Sequence, residues 1–173
     1  MTPIERLQNY KIHDSMRGYF GYELYKKMMV NNDIWIITAD LGYGMFDPHK
    51  EDFSDRFINV GAAEQTTMNI AIGLALSGKI PFVYSITPFL LWRAAEQIRL
   101  YVDHENIPVK LIGSGRDDDY KHDGFSHNAE DAQKILTVFD NIIEYWPEDK
   151  VEMARVINEM TENLRPSFLS LKR

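Results

Sequence analysis

Val60-Gly61-Ala62-Ala63-Glu64-Gln65, continued by Thr66-Thr67-Met68-Asn69-Ile70-Ala71-Ile72-Gly73-Leu74-Ala75-Leu76, is the stretch on which the reading of this chain turns. Arg56-Phe57-Ile58-Asn59-Val60 reads as a strand, which passes through a turn of small residues into a helix whose body is almost wholly apolar. Glu64 and Gln65 set a carboxyl group and an amide at the mouth of that helix. Gly61, Ala62 and Ala63 keep side chains away from the backbone where something flat could approach. A glutamate in a first helical turn interacts favourably with the helix dipole, and that alone explains its place. An apolar niche raises a carboxyl pKa, however, and a group tuned that way is suited to sharing a proton with a ring nitrogen. Position alone leaves both readings open.

Working outward, the helix after Glu64 ends near Ser77-Gly78, a glycine stop. Upstream, residues 14–30 predict a helix with Met16, Phe20, Leu24 and Met28 on one face. Asp33-Ile34-Trp35-Ile36-Ile37-Thr38-Ala39 predicts a strand, with Asp40-Leu41-Gly42-Tyr43-Gly44 as the turn beyond it. Downstream, strands are predicted at residues 80–85, 109–113, 141–146 and 167–171. Helices are predicted at about 88–102, 130–136 and 147–163, and a long polar loop spans 114–128. Strands alternating with helices imply an α/β fold, a doubly wound, mainly parallel sheet with helices on both faces. Ligands of such sheets bind beyond the carboxyl ends of the strands. The chemically interesting segments, 40–44, 61–65, 84–93 and 113–127, all fall there.

The 173 residues, 45% of them apolar, fit one domain with its own core over 1–173. A formal charge of −7 and the lack of a dense Lys/Arg run argue against nucleic acid or an anionic membrane as the main partner. Without cysteine there is no disulfide, thiol nucleophile or Cys-ligated metal. The polar start, Met1-Thr2-Pro3-Ile4-Glu5-Arg6, shows no secretory signal, and no apolar run is long enough to span a bilayer. A cytoplasmic protein is the expectation.

Several motifs point elsewhere and are weaker. Gly42-Tyr43-Gly44 suggests a dinucleotide turn, but the third glycine is missing and Met45-Phe46-Asp47-Pro48 is not expected to open a helix. Asp119, Asp123, Gly124 and Glu130 partly imitate a calcium loop, with Lys121 on a ligand position. His122 and His127 lack the helical spacing of hydrolytic zinc sites, so no metal site is assigned. A histidine in such a loop serves better to contact an oxyanion or to shuttle a proton. Tyr84 and Phe89 place rings at a strand-to-helix corner where they can stack on a heterocycle, and Arg93 can reach a phosphate or carboxylate. Core packing, with Arg93 paired to a neighbour such as Glu96, is the alternative.

Taken together, these segments resemble the pyrimidine-binding domain of the transketolase family of thiamine diphosphate enzymes. Gly61-Ala62-Ala63-Glu64-Gln65 is similar to that family's Gly-x-x-Glu-Gln element. Phe89 and Arg93-Ala94 resemble the next element, and Asp123-Gly124-Phe125-Ser126-His127 the Asp-Gly-x-Thr-His loop. Arg17-x-x-Phe20-Gly21 and Ala39-Asp40-Leu41-Gly42 also fit. Ser126 replaces the usual threonine, and 116–121 lacks the usual glycine-rich approach.

The resemblance implies roles. Glu64 would hydrogen-bond the ring nitrogen of the cofactor's aminopyrimidine and stabilise its imino tautomer, with His127 the second catalytic residue. Phe89 would stack on the pyrimidine, with Tyr84 and Gln65 beside it. Arg93, His127 and His122 would face oxygens of sugar or sugar phosphate substrates. The family's Gly-Asp-Gly segment, which holds the diphosphate and Mg²⁺, does not occur here. The diphosphate-binding and carboxyl-terminal domains are expected to be absent from this chain, and a large partner subunit is expected to supply the diphosphate-binding one, in a heterotetramer with a self-paired core that carries out two-carbon ketol transfer. A 2-oxoacid dehydrogenase β-type subunit and a non-catalytic binding module derived from this domain are the alternatives.

Overall fold

The structure, a computed structural model, describes residues 2–173. Six strands form one sheet: β1 (Ile34–Thr38), β2 (Phe57–Asn59), β3 (Ile80–Ile86), β4 (Lys110–Ser114), β5 (Ile143–Tyr145) and β6 (Ser167–Leu171). Their order is β2-β1-β3-β4-β6-β5 and every pair is parallel. The order reverses between β1 and β3, so the loops leaving these two strands diverge to opposite sides and open a crevice at their carboxyl ends.

Period-two alternation assigns the faces. Ile37, Val83, Leu111 and Phe168 pack beneath α4 (Glu64–Leu76), the helical segment 89–104 and α6 (Ala132–Leu136). Ile36, Phe82, Tyr84, Ile112 and Leu169 pack beneath α2 (Met16–Val30) and α7 (Lys150–Glu162). Helix α2 starts where Ser15 accepts a hydrogen bond from the Gly18 amide, and it buries Met16, Phe20, Leu24 and Met28 as the spacing predicts. The expected doubly wound α/β architecture is what the chain adopts. Among the described residues no helix is long and apolar enough to cross a membrane.

Two local expectations are corrected, and one short helix is added. The helix expected at 88–102 is a π turn over Phe89–Arg93, a short α turn α5 (Ala95–Gln97) and a second π turn over Ile98–His104. Wide turns of this kind concentrate at functional sites. Asp47-Pro48 does open a helix, α3 (Asp47–Asp52), because proline in a first turn has no intrahelical amide bond to lose. A short helix, α1 (Pro3–Gln8), precedes α2 and is capped by reciprocal Thr2–Glu5 hydrogen bonds.

Gly113 on β4 lets β3 and β6 converge at the sheet's working edge. A Cβ there would lie 2.6 Å from Thr87 Oγ1 and 2.9 Å from the Phe168 ring. Thr87 Oγ1 donates to the carbonyl of Gly115 at 2.7 Å and cannot easily withdraw. Gly113→Ala is expected to destabilise the fold by about 1–3 kcal/mol through overpacking. Urea denaturation checks this: an unchanged midpoint would mean that the edge yields.

Candidate active site

Glu64 is the first residue of α4. The turn before it depends on Gly61, whose φ of 76° is open to glycine at little cost. Asn59, ending β2, accepts through Oδ1 from the amides of Gly61 (3.0 Å) and Asp40 (2.9 Å). One side chain thus fixes both the approach to Glu64 and the loop leaving β1. Ala63 precedes the helix and provides no side-chain cap, so Glu64 is the only acidic group at this helix start.

The Glu64 side chain is 7% exposed, and Oε1 accepts from Arg93 Nη1 at 2.6 Å. Its niche is therefore not the apolar one expected from sequence, because a guanidinium lies inside it. Nor does Arg93 pair with Glu96; it reaches back 29 residues to Glu64. The π turn of Phe89–Arg93 carries the guanidinium over its own starting residue, with Cζ 3.6 Å from the Phe89 ring centroid. His127 meets the Phe89 ring edge-on at 4.8 Å, and its Nδ1 lies 3.0 Å from Ser126 Oγ. Glu64, Arg93, Phe89 and His127 thus form one continuous cluster, although they come from three separate segments.

The loop carrying His127 is closed at its base by the bridge between Asp117 and Ala129. Its tip turns at Gly124, φ 92°. Phe125 (90% exposed) and Trp92 (55%) flank the cluster. With Phe89, Arg93, Ser126 and Asp131 they line a hollow of about 230 Å³.

A larger cavity, about 800 Å³, occupies the crevice between the ends of β1 and β3. Arg17, Tyr43, Tyr84 and Tyr120 are among the residues lining it. Arg17 Nη1 donates to Tyr120 Oη at 3.2 Å, and its buried Nε has no hydrogen-bond partner among the described residues. Tyr84 belongs here rather than beside Phe89. It points to the opposite face of the sheet from α4, against Phe46, and burial raises its phenol pKa.

His122 is also parted from His127. It is exposed, with Nε2 3.3 Å from Asp123 Oδ2 and 3.4 Å from Arg173 Nη1. The Arg173 guanidinium in turn lies over the Tyr120 ring at 5.2 Å. Gln65 is exposed on the first turn of α4. Among the described residues there is no cluster of three or more His, Asp or Glu side chains able to hold a metal. Sequence reading assigned no role to Tyr120, since nothing in its polar loop marked it as the partner of Arg17.

The family model of the transketolase pyrimidine-binding domain matches residues 14–173. The chain belongs to this family. One of the subunits of the apulose-4-phosphate transketolase of Actinobacillus succinogenes is 33% identical over 124 residues, 72% of this chain and 40% of that protein. The 1-deoxy-D-xylulose-5-phosphate synthase of Corynebacterium glutamicum is 33% identical over 141 residues, 81% of this chain and 22% of that one. The solved structure of a split gene transketolase, an inactive beta4 tetramer, superposes with a TM-score of 0.81 at 28% identity, over 92% of this chain and 51% of its own. The transketolase of Campylobacter jejuni shares the fold, with a TM-score of 0.82 at 20% identity, over 98% of this chain and 29% of its own. The chain spans about half or less of the length of these relatives. The family resemblance read from its motifs is borne out, and so is the fold that the resemblance implied.

Proposed function

We propose that this transketolase-family domain is the pyrimidine-binding subunit of a split, thiamine diphosphate-dependent transketolase-type enzyme that moves a two-carbon ketol unit between sugars or sugar phosphates. The observation that carries the reading is the buried carboxyl of Glu64, joined through the Arg93 guanidinium to the Phe89 ring, which His127 also meets edge-on. The donor set fits an aminopyrimidine: a carboxyl group for a ring nitrogen and an aromatic ring to stack on. When bound, the cofactor supplies the carbanion chemistry that no side chain here can.

The chain's own residues bind and orient. Glu64 holds a proton at the ring nitrogen, and the depth of its site keeps bulk water from competing. Phe89 fixes the plane of the heterocycle. His127 and the Arg93 guanidinium offer donors to substrate oxygens. Gln65, exposed beside Glu64, is placed to meet the cofactor or the partner. Tyr84 and Arg17 provide polar contacts in the larger cavity, and His122 lies beside that cavity's Tyr120 wall, where anionic or hydroxyl-rich substrates would be held.

A second chain is proposed to bring the diphosphate and Mg²⁺ site. The relatives named as a transketolase subunit and as a split gene transketolase support that division. A heterotetramer with a self-paired core satisfies it, since each half-site needs a partner. The test is to combine the chain with a diphosphate-binding large subunit and measure ketol transfer with and without thiamine diphosphate. Activity is expected only from the mixture with cofactor. A complex that forms, holds the cofactor and still transfers nothing would overturn the assignment.

A further inference from the structure

Arg93 makes two contacts that an incoming aminopyrimidine would also need. Its Nη1 occupies Glu64 Oε1 at 2.6 Å, and its guanidinium carbon lies over the Phe89 ring, 3.6 Å from the centroid. A flat, nitrogen-bearing group thus already sits between the carboxyl group and the aromatic face. We infer that Arg93 is a displaceable plug, a guanidinium standing in for the pyrimidine, and that opening the site means swinging this one side chain outward. The inference rests on the reading of Glu64 and Phe89 as the pyrimidine site.

The two partners differ in freedom in the way a plug requires. The Glu64 side chain is 7% exposed and fixed at the head of α4, whereas that of Arg93 is 47% exposed on a long stem. Among the described residues the guanidinium has no hydrogen-bond partner except Glu64. An ion pair with one solvated partner is individually weak, and a cation over an exposed ring adds little more. A landing place is at hand, because Asp131 lines the same small hollow as Arg93. Rotation toward Asp131 exchanges one carboxylate for another while it frees Oε1 and the ring together. The π turn contributes by carrying residue 93 over residue 89.

The test uses the chain by itself and the cofactor's isolated pyrimidine half, 4-amino-5-hydroxymethyl-2-methylpyrimidine. This probe has no diphosphate, so it reports on the pyrimidine site without the second chain. Binding is followed by NMR titration of the backbone amides of α4's first turn, for the wild type, Arg93→Met, Arg93→Lys and Glu64→Gln. Melting temperatures confirm that each variant is folded.

Arg93→Met is expected to bind the probe about tenfold more tightly than wild type, the size of one modest contact removed from the competition. Arg93→Lys keeps the charge and loses the flat guanidinium, and should fall between them. Glu64→Gln should bind no better than wild type. Equal or weaker binding by Arg93→Met, with the α4 amides still responding, overturns the plug and leaves the pyrimidine site standing. No response at those amides in any variant overturns both the plug and the site reading on which it rests.

Discussion

Replacing Glu64 with glutamine in the complex that restores activity is expected to lower ketol transfer by about 10²–10⁴-fold, the range associated with a lost general acid–base group. Glutamine keeps the side chain's shape and can still accept from Arg93, so the helix start should survive. It cannot hold a carboxyl proton at a ring nitrogen. The loss should therefore fall on kcat, with substrate KM little changed. Circular dichroism and the melting temperature should match those of the wild type. Full activity in the variant would mean that Glu64 is at this helix mouth for electrostatics, the reading that position alone left open. The same variant in the isolated chain separates chemistry from folding, because the Arg93 contact is the only hydrogen bond of Glu64's side chain among the described residues.

The second large effect concerns stability and lies far from this cluster. His49 in α3 is completely buried, its ring edge-on to Tyr25 at 5.3 Å and Phe46 at 5.2 Å. Neither ring nitrogen has a well-formed hydrogen bond among the described residues. Desolvation lowers its pKa from 6.5 to about 3, opposed only in part by the backbone of Gly21, by Asp52 and by the backbone of Met45. The folded pKa lies below the unfolded one. Between these values the unfolded chain takes up a proton that the folded chain refuses, so stability falls as the pH falls. From pH 7.5 to 4.5 this single group should cost about 2–3 kcal/mol. His49→Phe keeps an aromatic ring in an aromatic niche and removes the titration. Urea midpoints across that range should flatten in the variant, leaving only the carboxylate contribution, which includes Asp52, held below its usual range by Arg6 and Tyr25 against desolvation. An equally steep fall in the variant would refute the assignment.

Much of this was legible in the sequence, and the reasons are local. β1, β3, β4 and β6 are short apolar runs bounded by turn residues, and each lies within a residue or two of its expected limits. The start of α4 follows from small residues before an apolar helix. What escaped reading is of two kinds. Apolar spacing does not separate an α turn from a π turn, so the break at Phe89–Arg93 was invisible. The Arg93–Glu64 pair spans 29 residues and two elements, and only the folded backbone brings it together. Tyr84 is a different case. Strand parity sets it on the opposite face from Val83, and Val83 packs under α4. That signal was available, and it separates Tyr84 from the Phe89 cluster.

Strand order has a consequence for how the domain is made. β6 lies between β4 and β5, so the segment Ser167–Leu171 is the only neighbour β5 has in the sheet. During synthesis the edge of β4 therefore stays open, and β5 stays unpaired, until residues up to Leu171 have left the ribosome. An open parallel edge flanked by apolar faces is prone to pair with another chain. The nascent domain spends its most vulnerable interval just before its sheet closes, and a nuclease-truncated message or a stalled ribosome would release the species most apt to aggregate.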